Sequence, residues 1–82
     1  MGYYVYMLKS QGFKPVTYVG YTKNIKHRII LHNSGKGAKF TRGRTWKLIY
    51  KEMFKSKSKA ISREYYIKKN RTLRNKIKNK NR

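Results

Sequence analysis

Only two acidic side chains, Glu52 and Glu64, accompany 23 Lys and Arg in this 82-residue chain. Any fold it adopts must therefore carry a net charge of +21 with almost no internal ion pairs to relieve it. Such self-repulsion is tolerated when counterions or a polyanion screen it. The partner implied is nucleic acid; a solubility effect is the bland alternative. The scarcity also bounds the chemistry, because a carboxylate-bound metal has two candidate ligands at most. The chain has no Cys and two His, which excludes disulfide staples and a closed zinc cage.

At this length one domain is expected, with a thin core. Hydrophobic residues make up 38%, including eight Tyr, three Phe and one Trp. That is too apolar for a disordered basic tail. No signal peptide or membrane span is read from the sequence, and a cytoplasmic protein without membrane contact is expected.

Tyr3 to Leu8 is rich in aromatic and β-branched residues and predicts a strand, with Tyr4, Tyr6 and Leu8 on one face and Tyr3, Val5 and Met7 on the other. Gly12 and Pro15 mark a turn. Val16 to Tyr21 predicts a second strand, and so short a connection favours antiparallel pairing. Thr22 to Asn24 offers N-caps for a helix running to about Asn33 and stopped by Gly35. Lys36 to Arg44 reads as a basic loop and Lys47 to Phe54 as a third strand. Ser56 or Ser58 would cap a second helix reaching about Asn70. Arg71 to Arg82 suggests a short third helix around Leu73 and Ile77, frayed at its end. The fold class expected is α+β: a three-stranded mixed or antiparallel sheet flanked by helices.

On the first helix Ile25 and Ile29 form the inward stripe, and Arg28 and His32, spaced i, i+4, sit at its edge. A guanidinium there suits a phosphate, and an imidazole can donate a hydrogen bond or move a proton; both could instead simply snorkel. On the second helix Glu64 falls between Ala60 and Ile67 on one side and Ile61 and Tyr65 on the other. A carboxylate on an apolar face needs compensation. Either a divalent ion such as Mg²⁺ supplies it, or Lys68 or an Arg does. Glu52, beside Lys51, is read as a structural cross-strand partner. Tyr6 and Tyr18 can reach one face, where neighbouring cations or a metal would lower a phenol's pKa and fit it as a general base. Core filling is the ordinary role of Tyr and is expected for Tyr3, Tyr50 and Tyr66.

Taken together, Tyr4-Val5-Tyr6, Tyr18-Val19-Gly20, Arg28 with His32, and Glu64 on a later helix resemble the GIY-YIG nuclease superfamily, in particular its small standalone bacterial members related to the nuclease domain of UvrC. Asn33 to Arg44 is similar to a loop of those members, and Ser56 to Lys69 to the helix bearing the metal-binding Glu. The resemblance implies a nuclease domain over residues 1–70 followed by a basic helix or tail over 71–82. It implies a DNA endonuclease, in a setting such as DNA repair, with Tyr6 and Tyr18 at the two triplet tyrosines, Arg28 on phosphate, Glu64 holding Mg²⁺ or Mn²⁺, and His32 as an auxiliary group. Tyr18 is favoured as base on that resemblance. Tyr4 stands at the Gly position of the first triplet, Tyr21 stands where UvrC-like members have Lys, and Asn70 and Asn75 are both candidates for a later Asn.

Nucleic-acid contacts are expected from Lys23, Lys36, Lys39, Arg42, Arg44, Lys68 and Lys69. Phe40 and Trp46 are candidates to stack on unpaired bases, although Trp46 is better read as core. The expected substrate is single-stranded or branched DNA, with RNA open, cut with low sequence specificity by a monomer or homodimer. A non-catalytic binding module is the competing expectation.

Overall fold

The computed structural model describes residues 2–80; Met1 lies outside it, as do Asn81 and Arg82, at the chain end where fraying was expected. Strands β1 (Tyr3–Ser10), β2 (Thr17–Thr22) and β3 (Trp46–Phe54) form one sheet in the order β2-β1-β3. Both pairings are antiparallel, which resolves the mixed-or-antiparallel expectation. Helices α1 (Ile25–Asn33), α2 (Lys57–Lys69) and α3 (Arg71–Lys80) complete an α+β domain. The basic loop is not wholly irregular, since Lys39–Thr41 forms one 3₁₀ turn.

β1 is the central strand, so alternate residues feed opposite faces. Val5 and Met7 join Val19, Ala60 and Ile67 in one cluster, with Leu73 and Ile77 of α3 packed against it. Tyr6 and Leu8 join Trp46 in the other, against Ile25 and Ile29 of α1. Facing residues on β3 hold this division through a bulge. Met7 pairs with Tyr50 and Leu8 with Leu48, leaving Ile49 as the extra residue. Without that insertion Leu48 and Tyr50 would share a face; with it Leu48 turns towards α1 and Tyr50 towards α2.

The helix ends follow local chemistry. Asn24 caps α1 by accepting from the His27 amide at 3.1 Å. At the other end Gly35, at φ +82°, lets the Lys36 amide donate to Leu31 O and its own amide to His32 O. This is the left-handed cap that glycine makes cheaply. Asn33 ties that end to β3: its Oδ1 accepts from the Trp46 amide at 2.6 Å and its Nδ2 donates to Trp46 O at 3.3 Å. Ser56 caps α2 through the Lys59 amide. Asn70 closes α2 and opens α3, accepting from the Leu73 amide at 3.0 Å. Arg74 reaches back to the carbonyls of Ile67 and Lys68.

Glu52 differs from its expected role. Its partner is not across the sheet but on α2: Oε1 accepts from Arg63 Nε at 3.1 Å and from Tyr50 Oη at 2.8 Å. β1 presents the apolar Val5 opposite Glu52, so the nearest cation comes from the helix above. Tyr66 is 51% exposed beneath Arg63 and is not core filler.

Candidate active site

The antiparallel register sets Tyr6 opposite Gly20 and Leu8 opposite Tyr18, so Tyr6 and Tyr18 share the α1 face. Gly20 is essential to this. A Cβ there would stand 2.6 Å from Tyr6 Oη and 2.9 Å from its Cζ. The missing side chain is the space the phenol crosses.

That phenol meets His32. Tyr6 Oη lies 2.9 Å from His32 Nε2, and His32 Nδ1 lies 2.9 Å from Thr41 Oγ1. The Thr41 hydroxyl donates to Ala38 O at 2.9 Å and accepts from the Ala38 amide at 3.2 Å. With its one proton directed to Ala38, Thr41 is an acceptor towards the imidazole. His32 then carries its proton on Nδ1, and its Nε2 accepts from the Tyr6 hydroxyl. His32 was expected at the edge of the helix stripe, but it is fully buried. The loop after α1 folds back over the ring, and Gly37 packs so closely that a Cβ there would overlap the imidazole. Burial, then the charge of Arg28, lowers the His32 pKa and keeps the ring neutral.

Burial also pushes the Tyr6 phenol up to about 12, against the opposing pull of the Arg28 guanidinium beside it. A phenol acidified by cations was the sequence expectation; for Tyr6, desolvation outweighs them. Tyr18 enters the cluster through its ring, whose centroid is 4.9 Å from that of His32 and 6.3 Å from that of Tyr6. Phe40 lies over Tyr18 at 6.2 Å, tilted by 22° and 56% exposed, whereas Trp46 is buried and donates its indole N–H to Thr41 O. Arg28 Nε is buried with no hydrogen-bond partner among the described residues.

Glu64 approaches from the opposite layer. It sits on α2, whose Ala60 and Ile67 pack on the Val5–Met7 face of the sheet. The apolar face of α2 is narrower than expected, since Ile61 and Tyr65 are 40% and 61% exposed. Glu64 lies at its margin, 16% exposed, with Lys68 Nζ 3.3 Å from Oε2. Tyr18, Lys68 and Arg74 line one cavity of about 200 Å³ at the open edge of β2, where the two layers meet. Among the described residues no group of three His, Cys, Asp or Glu gathers. A metal here would have one carboxylate. That donor set fits Mg²⁺ or Mn²⁺ completed by water and substrate phosphate, and does not fit zinc.

The structure thus brings Tyr6, Tyr18, Arg28 and His32 together and leaves Glu64 in the opposite layer beside Lys68, which lines the β2-edge cavity with Tyr18. Lys36, Lys39, Arg42 and Arg44 are exposed on the loop that covers His32, and Lys68 and Lys69 are exposed on α2. Lys23 stands apart, its Nζ 5.2 Å over the Tyr3 ring. Asn70 is engaged at the α2–α3 corner, and Asn75 is exposed. Sequence reasoning missed Thr41 and Gly37. Gly37, within the basic loop, makes room for the imidazole.

The GIY-YIG catalytic domain model matches residues 2–79. The chain belongs to the GIY-YIG family, a family of nucleases. Within it the chain is similar to UPF0213 proteins. That of Clostridium perfringens is 54% identical over 67 residues, covering 80% of this chain and 70% of the relative. That of Staphylococcus haemolyticus is 51% identical over 67 residues, covering 80% and 79%. The solution NMR structure of a UPF0213 protein from Bacillus halodurans matches the fold with a TM-score of 0.58 and 37% identity, covering 99% of this chain and 86% of that one.

Proposed function

We propose that this protein is a divalent-metal-dependent endonuclease that hydrolyses DNA phosphodiester bonds with low sequence specificity, favouring single-stranded or branched DNA. The observation that carries the proposal is Glu64. One of only two acids in a highly basic chain lies at the margin of an apolar helix face, beside Lys68, which lines one cavity with Tyr18. Glu64 would hold Mg²⁺ or Mn²⁺, which when bound polarises a phosphate and stabilises a leaving oxygen. Arg28 offers its guanidinium to the scissile phosphate. Tyr6 commits its proton to His32 and holds that ring in place. Tyr18, not tied in this way, releases its own hydroxyl proton to solvent and, as the phenolate, takes the proton of the attacking water. His32 and Thr41 keep the Tyr6 hydroxyl oriented. In this division residues 1–70 carry the chemistry and the basic residues 71–82 add grip. The exposed groups around the site are mostly Lys and Arg, which position a backbone without reading sequence, and Phe40 offers a ring to an unpaired base.

The second reading, a non-catalytic nucleic-acid-binding module, is favoured by one observation: Lys68 already compensates Glu64. Labelled single-stranded, duplex and flapped DNA, incubated at low salt with Mg²⁺, Mn²⁺ or EDTA, separates the two. Metal-dependent products from wild type, absent in Glu64→Ala while that variant still binds DNA, support the nuclease. Binding without cutting under any metal selects the module.

A further inference from the structure

Helix α1 has two flanks. Its inward stripe, Ile25 and Ile29, rests on the Tyr6–Leu8–Trp46 cluster. At about 100° per residue, Arg28 lies about 80° to one side of that stripe and Lys26 about 80° to the other. The Arg28 side is the candidate active site. On the Lys26 side α1 and β3 enclose a cavity of about 430 Å³. Tyr4, Ile29 and Leu48 contribute its apolar and aromatic surface, and Lys23, Lys26 and Lys51 also line it, the Lys23 Nζ lying 5.2 Å over the neighbouring Tyr3 ring. No carboxylate lines it. Glu52 is held by Arg63 and Tyr50, and Glu64 by Lys68. A second cavity of about 330 Å³, lined by Gly2, Tyr3, Tyr4 and Lys23, shares Tyr4 and Lys23 with the first and extends it around the end of the sheet.

A concavity of this size with an apolar floor and a few polar groups has the form of a small-ligand site. Its chemistry makes two demands. Three cations without a counter-charge ask for an anion, and the Tyr4–Ile29–Leu48 surface asks for a flat apolar body. A simple inorganic anion answers only the first. A nucleotide answers both, its base against Tyr4 and Leu48 and its phosphate among Lys23, Lys26 and Lys51. We propose that the groove between α1 and β3 is a nucleotide-binding site, distinct from the Tyr6–His32 region. It stands whether or not Glu64 supports cleavage. The nucleotide comes either as a free molecule or as an unpaired residue of a bound strand.

The test is an amide-resolved NMR titration of the ¹⁵N-labelled protein with adenosine 5′-monophosphate, beside inorganic phosphate and adenosine at equal concentration. Expected are saturable shifts confined to the neighbourhood of Tyr4, residues 23–29 and residues 48–51, with affinity at least about tenfold above either fragment. Lys26→Glu with Lys51→Glu, both at exposed positions and so expected to leave the fold intact, should weaken binding by about tenfold or more. A short oligothymidylate then competes: displacement of the mononucleotide assigns the groove to a strand, and co-binding assigns it to a free nucleotide. Equal shifts from phosphate and nucleotide, or shifts centred on residues 36–44, or unchanged affinity in the double variant, would overturn the proposal.

Discussion

Thr41→Val tests the relay that holds His32. The substitution keeps the shape of the side chain and removes only the hydroxyl. In the wild type that hydroxyl accepts from His32 Nδ1 and the Ala38 amide and donates to Ala38 O. Thr41 and His32 are both fully buried, so water cannot replace what is lost. Leaving one buried donor unmet costs about 1–3 kcal/mol. Thr41→Ser restores the hydroxyl and deletes a methyl, at about 0.8 kcal/mol. Burial arithmetic alone would rank Val as the milder change; the relay ranks it as the harsher one. In urea unfolding followed by circular dichroism, with a slope of about 1 kcal/mol per molar for a small domain, Val should lower the midpoint by about 1–3 M and Ser by less than about 1 M. The imidazole ¹⁵N shifts of His32 should report Nδ1–H in wild type and Ser, and lose that pattern in Val. A Val variant as stable as Ser or more so would refute the assignment.

Because burial lowers the His32 pKa below its ordinary 6.5, the unfolded chain binds the extra proton first; stability should be fully present above about pH 6.5 and fall as pH drops further, by up to about 1.4 kcal/mol per unit, with His32→Gln flattening the profile of urea midpoints. Gly20→Ala should displace the Tyr6 ring and destabilise by about 1–3 kcal/mol in thermal unfolding; a neutral result would mean the ring yields easily. Glu52→Gln should change stability by less than about 1 kcal/mol, because the pair with Arg63 is about a third exposed and screened by solvent. If about six phosphates are neutralised, the log–log salt slope for single-stranded DNA binding should lie near −4 to −5; a slope near zero would remove the electrostatic account.

The strands were legible because they are runs of aromatic and β-branched residues whose alternate side chains feed the two faces of the sheet. Tyr3 to Leu8 announced both clusters, and the Gly12 turn announced the pairing. α1 was bounded by Asn24 and Gly35, residues whose local chemistry needs no tertiary information. The bulge at Ile49 was invisible, since an inserted residue shows only against its partner strand. The depth of His32 was misjudged for a similar reason. The wheel places it on a helix face, but a loop beginning several residues later covers it. Glu52 found Arg63 rather than a strand neighbour because only the fold says which cation lies above the sheet. Of the candidate site, residue types and spacing suggested Tyr6, Tyr18, Arg28, His32 and Glu64. Thr41 and Gly37 belong to contacts that the sequence does not display as a pattern.

The burial of Tyr6 constrains the history of such a chain. Its ring is at once a wall of the α1-side cluster and the group that meets His32, and Gly20 across the sheet leaves room for that ring alone. A lineage abandoning catalysis could not discard the side chain without opening a void. Only the oxygen is dispensable to packing, and removing it would strand the imidazole. Decay of function should therefore leave a paired trace, Phe at position 6 together with a residue other than His at position 32, rather than either change alone.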